Sequence, residues 1–433
     1  PTFPRPVTAE MDEPMFRMDE DCSQDDFIDE DFLKRGEFSD HMDYDNVDYY
    51  GDDGFISNDE FYKVGISDFD LIRVLGRGGF GKVLQVRKRT APFESQVFAM
   101  KILKKSGIIK SRKETEHTIA ERNILGGIKS DFICKLFYAF QTTEKLYFVL
   151  EFLEGGELFM LMEKEGTLSE LDAAFYSAEI VVALNHLHRC DVIYRDLKPE
   201  NVMLDRHGHV KLTDFGLCKE YMFHGERAYT YCGTVEYMAP EIILKNGHTF
   251  TADWWSLGTI IYDMLTGKPP FTSESKGGTT DKIVKGRIQF PSNVSKEATK
   301  LIRGLLTKNP DKRLGVNGVK QIQKQAFFRH LNWSDVENRK LVPPFKPVSD
   351  SGNDEPSFKY FDPRFFKLPV IDSPSSQINS HDDPFFGFSY TAPEFLDSRH
   401  TTPSPMRETA LIHSPKPAKC YYSPFPTYRS SLY

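Results

Sequence analysis

The pattern of apolar and polar positions along the chain changes character three times. Up to about Ile66 no helical or alternating period is sustained. From Phe69 onward come short runs of apolar and β-branched residues, Phe69–Leu75, Lys82–Val86 and Val97–Leu103, separated by glycine or charged turns. Runs of this length and composition predict strands. A helix is expected over about Arg112–Leu125, and two further strand-like runs, Ile133–Phe140 and Leu146–Phe152, complete a small unit of sheet plus helix. After Gly155-Gly156 the period becomes helical. Ser169 followed by Asp172 is a capping signal, and Ala173, Tyr176, Ile180, Leu184 and Leu187 recur at a spacing that buries one face. Another helix is expected over about Thr251–Thr266, stopped by Gly267 with Pro269 beyond. Past about Trp333, Pro, Ser and Phe dominate as far as Tyr433, which predicts an extended tail holding to the body through aromatic anchors. No repeat at solenoid spacing is present.

Composition adds bounds. The chain has 433 residues, 39% of them hydrophobic, enough for two lobes of core plus tails. No apolar run reaches about 18 residues, so no membrane insertion is expected, and the acidic first 30 residues do not read as a signal peptide. The first residue is Pro, and residues are expected to be missing at the start and also at the end. Cys22, Cys134, Cys190, Cys218, Cys232 and Cys420 lack zinc-type spacing and read as reduced thiols of a cytoplasmic protein, with a nuclear location also compatible. The net charge of -8 is unevenly spread, because residues 1–60 hold 20 Asp and Glu against 4 Lys and Arg. That segment, to about residue 68, reads as disordered. The body is nearly balanced, which gives no case for nucleic acid as a partner.

Candidate chemistry lies in five ordered pieces. Gly76-x-Gly78-x-x-Gly81-x-Val83 sits between two strands, where glycines let backbone approach phosphate oxygens. That context argues against a dinucleotide-binding unit, in which the turn joins a strand to a helix. Lys101 ends the run Val97–Met100, and Glu121 on the following helix could hold it against the α- and β-phosphates. In Tyr194-Arg195-Asp196-Leu197-Lys198-Pro199-Glu200-Asn201, Asp196 can accept a hydroxyl proton, Lys198 can neutralise a moving phosphoryl group and Asn201 can ligate a metal through its amide oxygen. Asp214-Phe215-Gly216 supplies a second metal ligand in Asp214. A cation is required there: like charges about 4 Å apart repel by roughly 1 kcal/mol in water and roughly 4 kcal/mol in a protein-like medium. Ala239-Pro240-Glu241 is the fifth piece, with Glu241 and Arg313 a candidate buried pair. Asp253 reads as structural, and the histidines receive no chemistry.

This order resembles a protein kinase over about Phe69–Phe328. The resemblance implies an α+β, bilobal fold with a small β-rich lobe and a larger helical lobe, using ATP with Mg2+, or Mn2+ as a substitute. Lys198 is of the serine/threonine type, and Tyr194 in place of His together with Asp214-Phe215-Gly216-Leu217-Cys218-Lys219 is similar to the AGC group. In that group the ATP site would be lined by Leu75, Gly76, Gly78, Gly79, Phe80, Gly81, Val83, Ala99, Lys101, Leu150 as gatekeeper, and Glu151, Leu153 and Glu157. Glu157 and Glu200, with Thr234 nearby, would recognise a basic substrate of the Arg-x-Arg-x-x-Ser/Thr kind. Residues 329–399 would form the C-terminal extension of the group, with phosphorylation at Thr230 in the activation loop, Ser373 in the turn motif and Ser389 in the hydrophobic motif Phe385-Phe386-Gly387-Phe388-Ser389-Tyr390. Residues 400–433 read as a disordered Ser/Pro-rich tail.

Within the group the chain is most similar to the kinases of the sixth small-subunit ribosomal protein. Gln85-Val86-Arg87-Lys88, Ala120–Leu125, His209–Asp214 and Pro343–Pro347 carry that resemblance, as do Thr402-Pro403, Ser404-Pro405 and Ser414-Pro415. It implies a phosphoinositide-dependent kinase acting at Thr230 and a target-of-rapamycin complex acting at Ser389. Two departures are visible: Ser389 stands where Thr is usual, and Phe27–Asp31 orders its apolar and acidic residues differently from the family's docking element. A pseudokinase scaffold is the competing class, disfavoured by intact Lys101, Glu121, Asp196, Lys198, Asn201 and Asp214. Another AGC subfamily is the nearer alternative.

Overall fold

The computed structural model describes residues 64–395 apart from 80, 92, 221, 223–225, 348–357 and 373–382. The acidic leader through residue 63, Phe80, Ser373, Thr402, Ser404 and Ser414 lie outside the described residues.

The first lobe is an antiparallel sheet in the order β1-β2-β3-β5-β4-β9. Its strands are β1 (Phe69–Arg77), β2 (Gly81–Lys88), β3 (Val97–Lys104), β4 (Leu136–Gln141), β5 (Lys145–Glu151) and β9 (Tyr390–Thr391). Leu84, Val86, Phe98, Met100 and Val149 are almost wholly buried on one side. The short α1 (Lys105–Ile108) leads into α2 (Arg112–Gly127), which is capped by Ser111 and turns Thr118, Glu121, Ile124 and Leu125 inward. The tail contributes β9, which pairs with β4 through Tyr138–Thr391 and Ala139–Tyr390.

The strands differ from their expected limits by one to three residues, and two of these differences bear on the site. β3 runs on to Lys104, so Lys101 lies mid-strand opposite Val83 and Phe148. β4 starts at Leu136 because the backbone around Ile133 is engaged elsewhere: Cys134 N donates to Leu212 O at 2.9 Å, and Leu212 N to Phe132 O at 2.9 Å.

The second lobe begins with β6 (Gly156–Glu157) and α3 (Leu158–Glu165), then α4 (Glu170–Arg189). Ser169 caps α4 by accepting from Asp172 N. This helix is buried on more than the one face expected; Ala174, Ser177, Ala178, Val181 and Ala183 are interior too, small enough for neighbours to pack closely. β7 (Val202–Leu204) and β8 (Val210–Leu212) join β6 in a small sheet. α5 (Pro240–Ile243) and α6 (Thr251–Thr266) follow, α6 ending at Gly267 with φ 77°. Among the described residues α7 (Lys276–Lys285), α8 (Lys296–Leu305), α9 (Lys320–Gln323) and α10 (Trp333–Glu337) follow. The described tail residues bury Tyr360, Phe385, Phe388 and Phe395, matching the expected aromatic anchors.

Candidate active site

Between the lobes the sheet, α2 and the loops around β7 and β8 bring the sequence-marked residues together. Lys101 Nζ donates to both Glu121 oxygens, at 2.8 and 2.9 Å, and lies 3.5 Å from Asp214 Oδ1. Burial pulls the Lys101 ammonium down, but the Glu121 and Asp214 carboxylates outweigh it and hold it above the ordinary lysine range. Burial likewise pushes Asp214 up, and Lys101 and Lys198 bring it below the usual carboxylate range. Asp214 is therefore a ready anion, held with φ at 54°.

Asp196 is buried at the base of the cleft. Asn201 Nδ2 donates to its backbone oxygen at 2.9 Å and to its Oδ2 at 2.8 Å. With Nδ2 so engaged, the Asn201 amide oxygen is the group left for a cation. Lys198 Nζ lies 3.3 Å from Asp196 Oδ2 and donates to Thr234 Oγ1 at 3.0 Å; Thr234 Oγ1 in turn donates to Asp196 Oδ1 at 3.3 Å. Thr234 thus fixes both catalytic-loop side chains from the activation segment.

Arg195 has φ 67°, a left-handed conformation that costs a non-glycine residue about 1–3 kcal/mol. Asp253 on α6 holds it there, accepting from Arg195 N at 2.8 Å and from Tyr194 N at 3.0 Å. His188 Nε2 meets the same carboxylate at 2.7 Å, so one histidine assigned no chemistry does have a carboxylate partner. His209, held to Glu179 at 2.6 Å, is another. Tyr194 hydrogen-bonds Thr213 O and packs edge-on against Phe215. The Tyr that departs from the common motif is therefore the wall behind Phe215.

The glycine-rich turn closes with Gly78 N donating to Gly81 O at 2.9 Å. Gly81 is also demanded by packing: a Cβ there would come within 1.8 Å of Ile102 O, so the β2–β3 contact itself requires glycine. At Gly79 a Cβ would meet nothing within 4 Å among the described residues. Leu75 is buried beneath the turn. Gly76 faces Val83 in the β1–β2 ladder, and Ala99 faces Leu150 across β3 and β5. Glu151 pairs with Lys211, and Leu153 is buried next in line.

Glu157 and Glu200 form an acidic pocket beside Lys198. Glu157 is 7% exposed, and Oε2 of each has no hydrogen-bond partner among the described residues. Burial, then the charges of Glu200 and Asp362, push Glu157 up to about 8. Glu241 and Arg313 do pair: the guanidinium, 0% exposed, meets both carboxylate oxygens at 2.6 and 2.7 Å and donates to Thr251 O at 2.8 Å.

Of the predicted modification sites, Thr230 and Ser389 fall among the described residues. Thr230 is exposed. The buried Arg195 Nη1 and His117 Nδ1 have no hydrogen-bond partner among the described residues. Burial and the Arg195 charge pull His117 down to about 4. Ser389 is exposed, and its carbonyl accepts from Arg122 Nη2 at 2.9 Å. Asp372, just before Ser373, bonds Lys145 at 2.7 Å and Tyr147 at 2.9 Å, and Lys82 Nζ donates to Ile371 O. Arg122, Asp372 and Lys145 carried no signal in the sequence, since their partners lie hundreds of residues away.

Residues 69–328 match the family model described as "Protein kinase domain". The chain is 53% identical over 340 residues to "Ribosomal protein S6 kinase beta" of Caenorhabditis elegans, covering 77% of this chain and 61% of that one. It is 43% identical over 358 residues to "Ribosomal protein S6 kinase 2 alpha" of Xenopus laevis (81% and 48%) and 44% identical over 346 residues to "Ribosomal protein S6 kinase alpha-6" of Homo sapiens (79% and 46%). The matched part thus spans about half to three-fifths of the length of these relatives.

Proposed function

The chain belongs to the protein kinase family, and we propose that it transfers the terminal phosphoryl group of ATP to serine or threonine in proteins bearing an Arg-x-Arg-x-x-Ser/Thr sequence, ribosomal protein S6 among them. The observation that carries this is the closed Lys101–Glu121 pair joined to Asp214, with Asp196 and Asn201 hydrogen-bonded opposite. Asp196 would accept the proton of the incoming hydroxyl, and Lys198 would sit against the transferred group. Lys101, steadied by Glu121, would hold the α- and β-phosphates. The donor set of Asp214 and the Asn201 amide oxygen suits a hard divalent cation such as Mg2+ or Mn2+, which when bound would offset the phosphate charge.

The unpaired oxygens of Glu157 and Glu200 support the basic specificity, because a buried carboxylate without a partner is costly and a guanidinium supplies two donors. Thr230 is exposed and open to modification, for which the family resemblance suggests a phosphoinositide-dependent kinase, and a phosphate there would offer acceptors to donors such as the unpartnered Arg195 Nη1. The lysines around Asp372 support Ser373 as a turn-motif site. The docked Phe385 and Phe388 support control through Ser389, since the same segment holds α2 and with it Glu121; a target-of-rapamycin complex as the modifying enzyme is proposed from the family resemblance alone. The four described cysteines form no disulfide, in keeping with a cytoplasmic location and, by extension, a nuclear one. The test is steady-state transfer to an Arg-x-Arg-x-x-Ser peptide and to versions with each Arg replaced by Gln. Loss of kcat/KM on replacement in the wild type, and little further loss in Glu157→Gln, is expected. Equal rates on all peptides would refute the specificity.

A further inference from the structure

The tail does not end its grip at the hydrophobic motif. Beyond Ser389 it enters the sheet as β9, Ala392 N donates to Phe137 O at 2.9 Å, and a turn closes with Phe395 N donating to Ala392 O at 2.9 Å. Phe395 is 4% exposed and packs on Phe93, Phe137 and Tyr138 with ring centroids 4.3, 5.3 and 5.2 Å apart. Ala392 is buried as well. On the other side of Ser389, Phe388 packs edge-on against Phe148, and Arg122 holds the carbonyls of Gly387, Phe388 and Ser389. Ser389 is therefore an exposed residue on a short span pinned at both ends.

We propose that residues Tyr390–Phe395 are a latch, with Phe395 as its bolt, that withholds Ser389 from enzymes that add or remove phosphate. A kinase or phosphatase acting on a side chain must draw several flanking residues into its cleft, with their backbone groups free to bond. In the docked tail those backbone groups are taken by β4 and Arg122, and the flanking rings are buried. Exposure of the Ser389 side chain does not make it a substrate; release of the segment does. The rate of either modification is then set by the fraction of molecules whose latch is open, a local unfolding equilibrium. Removing the Phe395 ring deletes the largest apolar contact of the latch and should raise that fraction roughly tenfold or more. This rests on the proposed role of Ser389, yet the latch can be tested apart from that role.

The experiment uses the full chain in wild-type form, as Phe395→Ala, as the conservative Phe395→Leu, and as Ala392→Pro, which removes the N–H given to Phe137. Amide exchange across residues 388–395 is followed by mass spectrometry. In parallel, phosphoserine is installed at position 389 and its removal by lambda phosphatase is timed. Faster exchange at Tyr390 and Thr391 and roughly tenfold faster dephosphorylation are expected in Phe395→Ala and Ala392→Pro, with Phe395→Leu between them and wild type. Thermal unfolding and exchange in α4 and α6 report whether the variants fold. Unchanged exchange and dephosphorylation in both variants, with the rest of the protein folded, would overturn the latch. Faster exchange and dephosphorylation in a protein whose transfer activity ignores the Ser389 phosphate would sustain the latch and remove the proposed role of Ser389.

Discussion

Glu157 offers a quantitative test of the basic-substrate reading. Its carboxyl is raised to about 8, first by burial and then by Glu200 and Asp362, against about 4.3 for an unperturbed glutamate. At pH 7 roughly nine molecules in ten therefore carry the proton at Glu157. An arginine guanidinium stabilises the carboxylate, so binding an arginine-bearing peptide expels that proton. The sign follows: apparent affinity rises with pH below 8 and levels off above it, because only then is the carboxylate present before the peptide arrives. Between pH 6.5 and 8.5 the gain is roughly twentyfold if one proton is expelled. Glu200, also raised by burial, titrates in the same direction, so the measured curve belongs to the pair. The assay is fluorescence anisotropy with an Arg-x-Arg-x-x-Ser peptide across that range, beside a peptide with citrulline in place of arginine. Glu157→Gln should flatten the slope and weaken binding at pH 8.5 by about tenfold or more. An affinity independent of pH in the wild type, or the same slope with citrulline, would refute the reasoning.

Three further outcomes are expected. Asp253→Ala removes the acceptor that holds Arg195 in its left-handed conformation and should lower kcat at least roughly tenfold, with KM for ATP little changed in steady-state assays. Glu241→Gln leaves Arg313 buried beside a neutral partner, costing about 3–5 kcal/mol, which would appear as a lowered thermal midpoint. Glu121→Gln takes the charge from the partner of Lys101; KM for ATP should rise and kcat fall together, and a change in neither would show that the pair does not hold the nucleotide.

The candidate catalytic residues were legible because each lies in a short contiguous string whose residue types suit the chemistry proposed for it. Lys101, Asp196, Asn201 and Asp214 stand within one cleft as their motifs implied. The ends of α6 and the cap of α4 were equally readable, because Gly267 and Ser169 act locally. Long-range pairings were legible only where the family resemblance supplied them, as for Glu241 and Arg313. His188 meets Asp253 across 65 positions, and Arg122 meets Ser389 across 267, distances over which no local pattern speaks. β6, β7 and β8 are two or three residues long, too short for alternation to register. α8 is different: Ala298, Leu301, Ile302 and Leu305 recur at helical spacing and were available to be read. Gly81 carries a second demand that the sequence did not show, since its lack of a side chain also makes room for Ile102 O.

Phosphoryl transfer itself is the most direct test. The full chain, phosphorylated at Thr230, would be given ATP with Mg2+ and an Arg-x-Arg-x-x-Ser peptide, beside Asp214→Asn and Lys101→Ala variants shown to be folded. Transfer to the peptide serine by the wild type, reduced to background in both variants, is the predicted result. No transfer by a folded wild type phosphorylated at both Thr230 and Ser389 would contradict the assignment and leave a binding scaffold in its place.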